Sequence, residues 1–204
     1  MQCASSIPGT QPHGNELSTA TSEQSIMAAA WQKDVGESVP ILKDGEVDII
    51  SSSAEHTMRL GARLGTLLQP GDVICLSGDM GAGKTVFSAG IGKGWGSLTP
   101  ITSPTFNLIH VHERPSDTQR LYHLDCYRLH SPEEAEAIGL DDILNGSGAA
   151  IFEWPENILA ALPAHRLWID LRILEPNRRS LMITATGPRY ERLLQDFRGE
   201  SATA

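Results

Sequence analysis

Gly78-Asp79-Met80-Gly81-Ala82-Gly83-Lys84-Thr85 has residue types and spacing suited to holding a polyphosphate. In the pattern G-x-x-x-x-G-K-T the glycines let successive backbone N–H groups turn inward around phosphate oxygens. The lysine reaches the outer phosphates, and the hydroxyl after it is placed to ligate Mg²⁺. A helix starting at that lysine adds the positive end of its dipole. The flanks agree with this reading. Asp72–Ser77 (DVICLS) is an apolar, β-rich run short enough for a buried strand, and KTVFSAGIGKG from Lys84 reads as a helix. No N-K-x-D guanine-reading element and no L-S-G-G-Q are present, so ATP is expected rather than GTP, and a transporter-type ATPase is disfavoured.

Two carboxylates follow apolar runs in a way that could place them beside such a loop. In Leu121–Leu129 (LYHLDCYRL) alternation puts Leu121, His123 and Asp125 on one face of a strand ending near Asp125. Carboxylates at the C-terminal ends of strands in an α/β sheet sit over the ligand crevice. Asp125 could orient a water, act as a base or reach Mg²⁺ through water; equally, it could bond loop amides or pair with Arg128. In AAIFEWPEN the run Ala149–Phe152 leads into Glu153, which suits Mg²⁺ coordination or, alternatively, capping of a helix starting around Pro155. Trp154 either shields the site or fills core space. Ser103-Pro104-Thr105-Phe106 sets two hydroxyls around a rigid proline, where a nucleotide-sensing loop or an ordinary turn fits.

These groups need a scaffold of about one domain. The chain has 204 residues, 40% hydrophobic and 20% charged, a globular balance at a length where one domain is the default. No apolar run approaches the roughly 18 residues of a membrane helix. Sixteen Lys+Arg against 25 Asp+Glu leave −9, which argues against tight independent binding to a phosphate backbone, so any contact with RNA is indirect. Residues 1–46 carry net −4, 47–83 net −2, 84–130 net +2 and 131–204 net −5, so only the stretch 84–130 is not acidic.

Residues 1–46 are rich in Ser, Thr, Gly, Gln and Pro, show no period that could bury a face apart from the short patch Ile26–Trp31, and read as a flexible extension, with Met27 a candidate biological start. They lack a basic stretch followed by an apolar run and contain no Arg, against a secretory or mitochondrial signal. Cys3, Cys75 and Cys126 are far apart with no C-x-x-C pair, which fits a reducing cytoplasm. The folded domain is expected over 47–198, with 199–204 a tail.

Within it, Met58, Leu60, Leu64, Leu67 and Leu68 follow a helical spacing after Ser53 as N-cap, with Pro70-Gly71 as the stop. Arg166–Leu174 and Ser180–Gly187 read as an antiparallel strand pair joined by Glu175–Arg179, while the earlier strands alternate with helices. The expected fold is therefore α/β: a P-loop NTPase-like domain with a largely parallel central sheet and added antiparallel strands. Pro188–Arg198 has a helical stripe through Tyr190, Leu193, Leu194 and Phe197, for a surface helix or a partner contact. His110, His112 and His123 lack an accompanying acid or Cys spacing and read as packed or solvated strand histidines rather than metal ligands. Arg178-Arg179 reads as a charged surface turn in preference to an arginine finger.

In their order and approximate spacing, GDMGAGKT, SPTF, HLDCYR and EWPE resemble the TsaE family, bacterial ATPases required for threonylcarbamoyladenosine formation on tRNA. The resemblance runs from about Val47 to Gly187 and extends to Glu55–Gly61, Pro132-Glu133-Glu134, Ile138-Gly139-Leu140 and Pro163. It implies that Gly78, Asp79, Met80, Gly81, Ala82, Gly83, Lys84 and Thr85 hold the ATP phosphates, and that Thr85 and Glu153 are the Mg²⁺ positions. Asp125 matches the family's aspartate in H-x-D-x-Y-R, and Ser103 and Thr105 fall in its switch-like S-P-T segment. Ala54 and Asn177-Arg178 are the nearest counterparts of further nucleotide-side positions, Asn177 standing where the family has glycine. The implied activity is a Mg²⁺-dependent ATPase, slow alone, with Lys84, Asp125 and Glu153 catalytic. It would work with TsaD and TsaB to sustain threonylcarbamoyl transfer to adenosine 37 of tRNA. A small-molecule or nucleoside kinase would need an acceptor pocket and a lid, for which no convincing sequence is present. A nucleotide-gated binding module with incidental hydrolysis is the other reading.

Overall fold

Val73–Ser77 (β2) and Ala149–Glu153 (β5) are apolar runs buried at nearly every residue, as strands covered on both faces must be. In the computed structural model, which describes residues 45–103 and 108–199, these two strands pair in parallel at the centre of one seven-stranded sheet. Glu46–Ser51 is β1, Ile109–Glu113 is β3, Arg120–Asp125 is β4, Arg166–Glu175 is β6 and Arg178–Thr186 is β7. The strand order is β1-β7-β6-β2-β5-β4-β3. Strands β6, β2, β5 and β4 are mutually parallel, and β7, β1 and β3 add antiparallel edges. This is the expected α/β class with a parallel centre and antiparallel additions. Apart from Gly45 and Glu46, the N-terminal extension lies outside the described residues, as do Thr105 and the tail beyond Gly199. Glu46 already pairs with Thr184.

Helix α1 (Ala54–Gly65) begins where Ser53 accepts the His56 amide at 3.0 Å. It ends earlier than its apolar spacing suggests. The Thr66 hydroxyl donates to the Arg63 carbonyl and its amide to that of Ala62, so Leu67 and Leu68 pack from beyond the helix. Helix α2 (Lys84–Trp95) crosses α1 at near backbone contact: a Cβ at Gly90 would lie 2.2 Å from the Met58 carbonyl oxygen. The sheet has an apolar cluster on each face. Along β2, Ile74 and Leu76 join the cluster under α1 and α2, while Val73 and Cys75 join the opposite one with Phe152, Leu140 and Ile158. Two short helices, α3 (Pro132–Ala137) and α4 (Leu140–Leu144), and the 3₁₀ segment Pro155–Ala161 cover that second face.

Helix α5 (Pro188–Arg198) buries Tyr190, Leu193, Leu194 and Phe197 in the first cluster, so the stripe is used for the core rather than offered to a partner. The Tyr190 hydroxyl accepts the Val73 amide at 2.8 Å, and Arg189 pairs with the buried Asp72 at 2.6 Å. Gly199 caps this helix, so the expected tail gives up its first residue to it. Cys75 and Cys126 are buried free thiols, and burial pushes Cys75 up to about 12. No helix among the described residues is long and apolar enough to cross a membrane.

Candidate functional site

The loop after β2 opens at Gly78, whose φ of 127° and neighbours both demand glycine, since a Cβ there would sit 2.2 Å from the Leu171 carbonyl oxygen of β6. Gly83, at φ 106°, delivers the chain into α2, so the amides of that helix's first turn face the loop. Glu153 ends β5 in register with Leu76 of β2, and Asp125 ends β4 in register with Glu153. Loop, Glu153 and Asp125 therefore share the C-terminal edge of three adjacent parallel strands, where open α/β sheets bind ligands. A cleft of about 550 Å³ lies there, lined by Gly81, Gly83, Lys84, Thr85, Ser103, Asp125, Glu153 and Trp154 among others.

Glu153 is 2% exposed and fully engaged. One carboxylate oxygen accepts the Thr85 hydroxyl at 2.9 Å; the other accepts Ser88 Oγ at 2.8 Å and His123 Nε2 at 2.9 Å. The reading of Glu153 as a helix cap does not hold, since Trp154 occupies the N-cap position of the following 3₁₀ segment. Burial acts to raise the Glu153 pKa, but the His123 ring and the Ser88 and Thr85 hydroxyls outweigh it, and the carboxyl is held below its ordinary value. The group is thus an anion at neutral pH. Thr85 and Glu153 present a hydroxyl and a carboxylate side by side at the loop's end, a hard oxygen donor set that fits Mg²⁺.

Because the folded value is depressed, Glu153 contributes stability above the unfolded carboxylate pKa of about 4.3, and loses it as pH falls through the folded value. The urea midpoints of the wild type and Glu153→Gln are accordingly expected to draw together as the pH falls below about 4.3. A gap that stays constant over that range would contradict the assignment.

Lys84 is 5% exposed and donates to the carbonyls of Gly78 and, at 2.9 Å, Asp79. Its ammonium lies 3.5 Å from the centre of the Trp154 ring. Burial lowers its pKa, opposed by the charges of Glu153, Glu156, Asp125 and Asp79. Trp154 adopts the left-handed conformation at φ 58°, a strained state for an aromatic residue, and its ring also packs on Tyr127 at 5.0 Å. Far from simply filling the core, Trp154 walls the cleft. Asp125 lines the same cleft and accepts the Tyr127 amide at 3.0 Å, so its loop-bonding role and its place at the site coexist.

On the other side of the loop, Ala54, Gly81, Gly83, Asn177 and Arg179 line a smaller hollow of about 120 Å³. Arg178 is not part of it: it pairs with Glu175 at 2.9 Å across the turn. The hairpin turn is shorter than expected, so β7 starts at Arg178 and the next residue, Arg179, turns to the loop. Arg179 donates to the carbonyls of Ala82 at 3.1 Å and Gly81 at 3.4 Å, a brace on the loop's outer wall rather than a free finger. Ser88 and His123 are further residues that spacing alone did not mark. Ser88 lies three positions after Thr85, one turn along α2, which is the only local signal for it.

The strand histidines are packed as expected, with His112 4% and His123 0% exposed, but they also converge. One ring nitrogen from each of His110, His112 and His123 lies within 4.8 Å of the others. Burial, followed by the neighbouring His123 and His110, lowers the His112 pKa.

The structure resembles the crystal structure of Bacillus subtilis YdiB with a TM-score of 0.63 and 32% identity, covering 76% of this chain and 97% of that one. Proteins described as tRNA threonylcarbamoyladenosine biosynthesis protein TsaE are similar in sequence. That of Bacillus subtilis is 37% identical over 70% of this chain and 88% of its own length, and that of Treponema pallidum 39% over 66% and 97%. That of Streptomyces coelicolor is 42% identical over 63% of this chain and 88% of its own length. The family model of the threonylcarbamoyl adenosine biosynthesis protein TsaE matches residues 51–181, which take in the loop, Asp125, Glu153 and Arg179. The chain belongs to the TsaE family.

Proposed function

We propose that this chain is a Mg²⁺-dependent ATPase serving threonylcarbamoyl transfer to adenosine 37 of tRNA, with TsaD and TsaB as its partners. The observation that carries this reading is the contact of Thr85 with Glu153 at the mouth of a G-x-x-x-x-G-K-T loop beside an open cleft. The loop amides and Lys84 bind the phosphates, and Lys84 offsets the charge that grows on the oxygens around the transferred phosphorus. Bound Mg²⁺ supplies further charge neutralisation, and Thr85 and Glu153 are the residues that would hold it. Asp125 faces the cleft from the neighbouring strand and is placed to orient a water for attack on the γ-phosphorus. The bond to the β,γ-bridging oxygen breaks, leaving ADP and phosphate. Trp154 keeps bulk water from the Lys84 side of the cleft. Ser103, which lines the cleft, and Thr105 sense the nucleotide, and the hollow at Ala54 and Asn177 supplies further contacts on the nucleotide's side.

The family's role in threonylcarbamoyladenosine biosynthesis supports the pathway, and the chain's acidity supports contact with tRNA through partners. The test is phosphate release from ATP by this chain, alone and with TsaD and TsaB. Slow release alone and marked stimulation by the partners is expected. Transfer of the phosphoryl group to an added nucleoside or metabolite would favour a kinase instead.

A further inference from the structure

The three-histidine cluster behind the cleft holds two polar atoms that the fold leaves unexplained. His112 Nε2 and His123 Nδ1 are buried and have no hydrogen-bond partner among the described residues. A buried ring nitrogen left unmatched forfeits its hydration without replacement, and two such atoms in one cluster call for an occupant. Their placement follows from the sheet. His110 and His123 are direct partners in the antiparallel β3–β4 register, and His112 lies two residues along β3 on the same face.

The outer nitrogens of the two buried rings are already committed. His123 Nε2 faces the Glu153 carboxylate at 2.9 Å, so in a neutral ring that nitrogen carries the proton and Nδ1 presents its lone pair. His112 Nδ1 lies 3.1 Å from Thr99 Oγ1 and 3.3 Å from Ser97 Oγ, which leaves Nε2 to face inward. Two buried ring nitrogens without a hydrogen-bond partner, in a cluster whose nitrogens lie within 4.8 Å of one another, are what a bound cation resolves. Spacings of up to 4.8 Å exceed a hydrogen bond but approach the ~3.3 Å separation of nitrogens around a tetrahedral ion with 2.0–2.1 Å bonds, so modest ring rotations close the set.

We propose that His110, His112 and His123 form a site for a divalent transition metal of the zinc class. An all-imidazole set selects such ions over Mg²⁺, and the half-buried His110 gives an entry path from the sheet's edge strand. The arrangement metal–His123–Glu153 is the carboxylate–histidine–metal relay that fixes ring orientation and tautomer. His123 would then be a positioning residue: the ion holds its ring, and the ring holds Glu153 against Thr85 and Ser88. This inference goes beyond the ATPase reading, and its test needs no nucleotide.

The full chain, stripped with a chelator and kept in excess Mg²⁺, is titrated with Co²⁺ and then Zn²⁺. One equivalent of Co²⁺ showing the visible absorption of a tetrahedral site, displaced by one equivalent of Zn²⁺, is expected. His110→Ala, on the edge strand where folding is least at risk, and His112→Gln should each weaken binding at least about tenfold. Thr99→Val should weaken it about tenfold through loss of the partner that orients His112. An unchanged far-UV circular dichroism spectrum and a melting temperature close to wild type report that His110→Ala is folded. Absence of saturable absorption, or titrations of His110→Ala and His112→Gln that match the wild type, would overturn the proposal.

Discussion

Glu153→Gln is expected to retain ATP while losing Mg²⁺-dependent, partner-stimulated hydrolysis by at least about 100-fold, the scale set by removing one preorganised charge from a site where charge develops. The substitution keeps the side chain's shape, and the amide can still accept one of its hydroxyl donors and remain beside the others. Thr85, Ser88 and His123 therefore stay in place, and the change is one of charge. ATP binding without Mg²⁺ should be little affected, because in the proposed reading the loop amides and Lys84, not Glu153, bind the phosphates. Single-turnover phosphate release alongside equilibrium nucleotide binding separates the two effects. Equal loss of both would mean that Glu153 shapes the loop rather than holding the ion.

Lys84→Ala is expected to reduce turnover further, by about 1,000-fold, and to weaken nucleotide binding as well, since the ammonium serves both bound phosphates and the transition state. This ammonium rests on the Gly78 and Asp79 carbonyls beneath the Trp154 ring. Truncation removes that brace too, so Lys84→Met, which keeps the stem against the indole, is the companion variant. Both should lose turnover to a similar extent while Lys84→Met retains more of the wild-type melting temperature. Turnover restored by methionine would show that the lysine acts through packing alone.

The loop was legible because its chemistry is local: eight consecutive residues carry the spacing, and the strand and helix on either side announce themselves by burial pattern. Glu153 was legible for a related reason, being the first polar residue after an apolar run that the sheet buries on both faces. What the sequence withheld depends on register. His123 meets Glu153 only because β4 and β5 pair as they do, and His110 reaches His123 only through the β3–β4 register, which no spacing along the chain encodes. Arg178 pairs with Glu175 across the turn while Arg179 reaches the loop, a difference that depends on neighbouring strand residues facing opposite sides. Strand β1 carried no clear signal either, because EVDIIS gains its place from pairing with β7, more than 120 residues away.

ATP hydrolysis at this site is proposed to sustain the tRNA modification. The most direct test is a reconstitution of threonylcarbamoyladenosine formation on unmodified tRNA with TsaD, TsaB and a threonylcarbamoyl donor, in which this chain is wild type, Glu153→Gln or Lys84→Ala. Repeated rounds of modification are predicted with the wild type and ATP, and not with either variant or with a nonhydrolysable ATP analogue. Undiminished modification by Glu153→Gln, or by the wild type with the analogue, would contradict the claim and leave the nucleotide as a gate for binding.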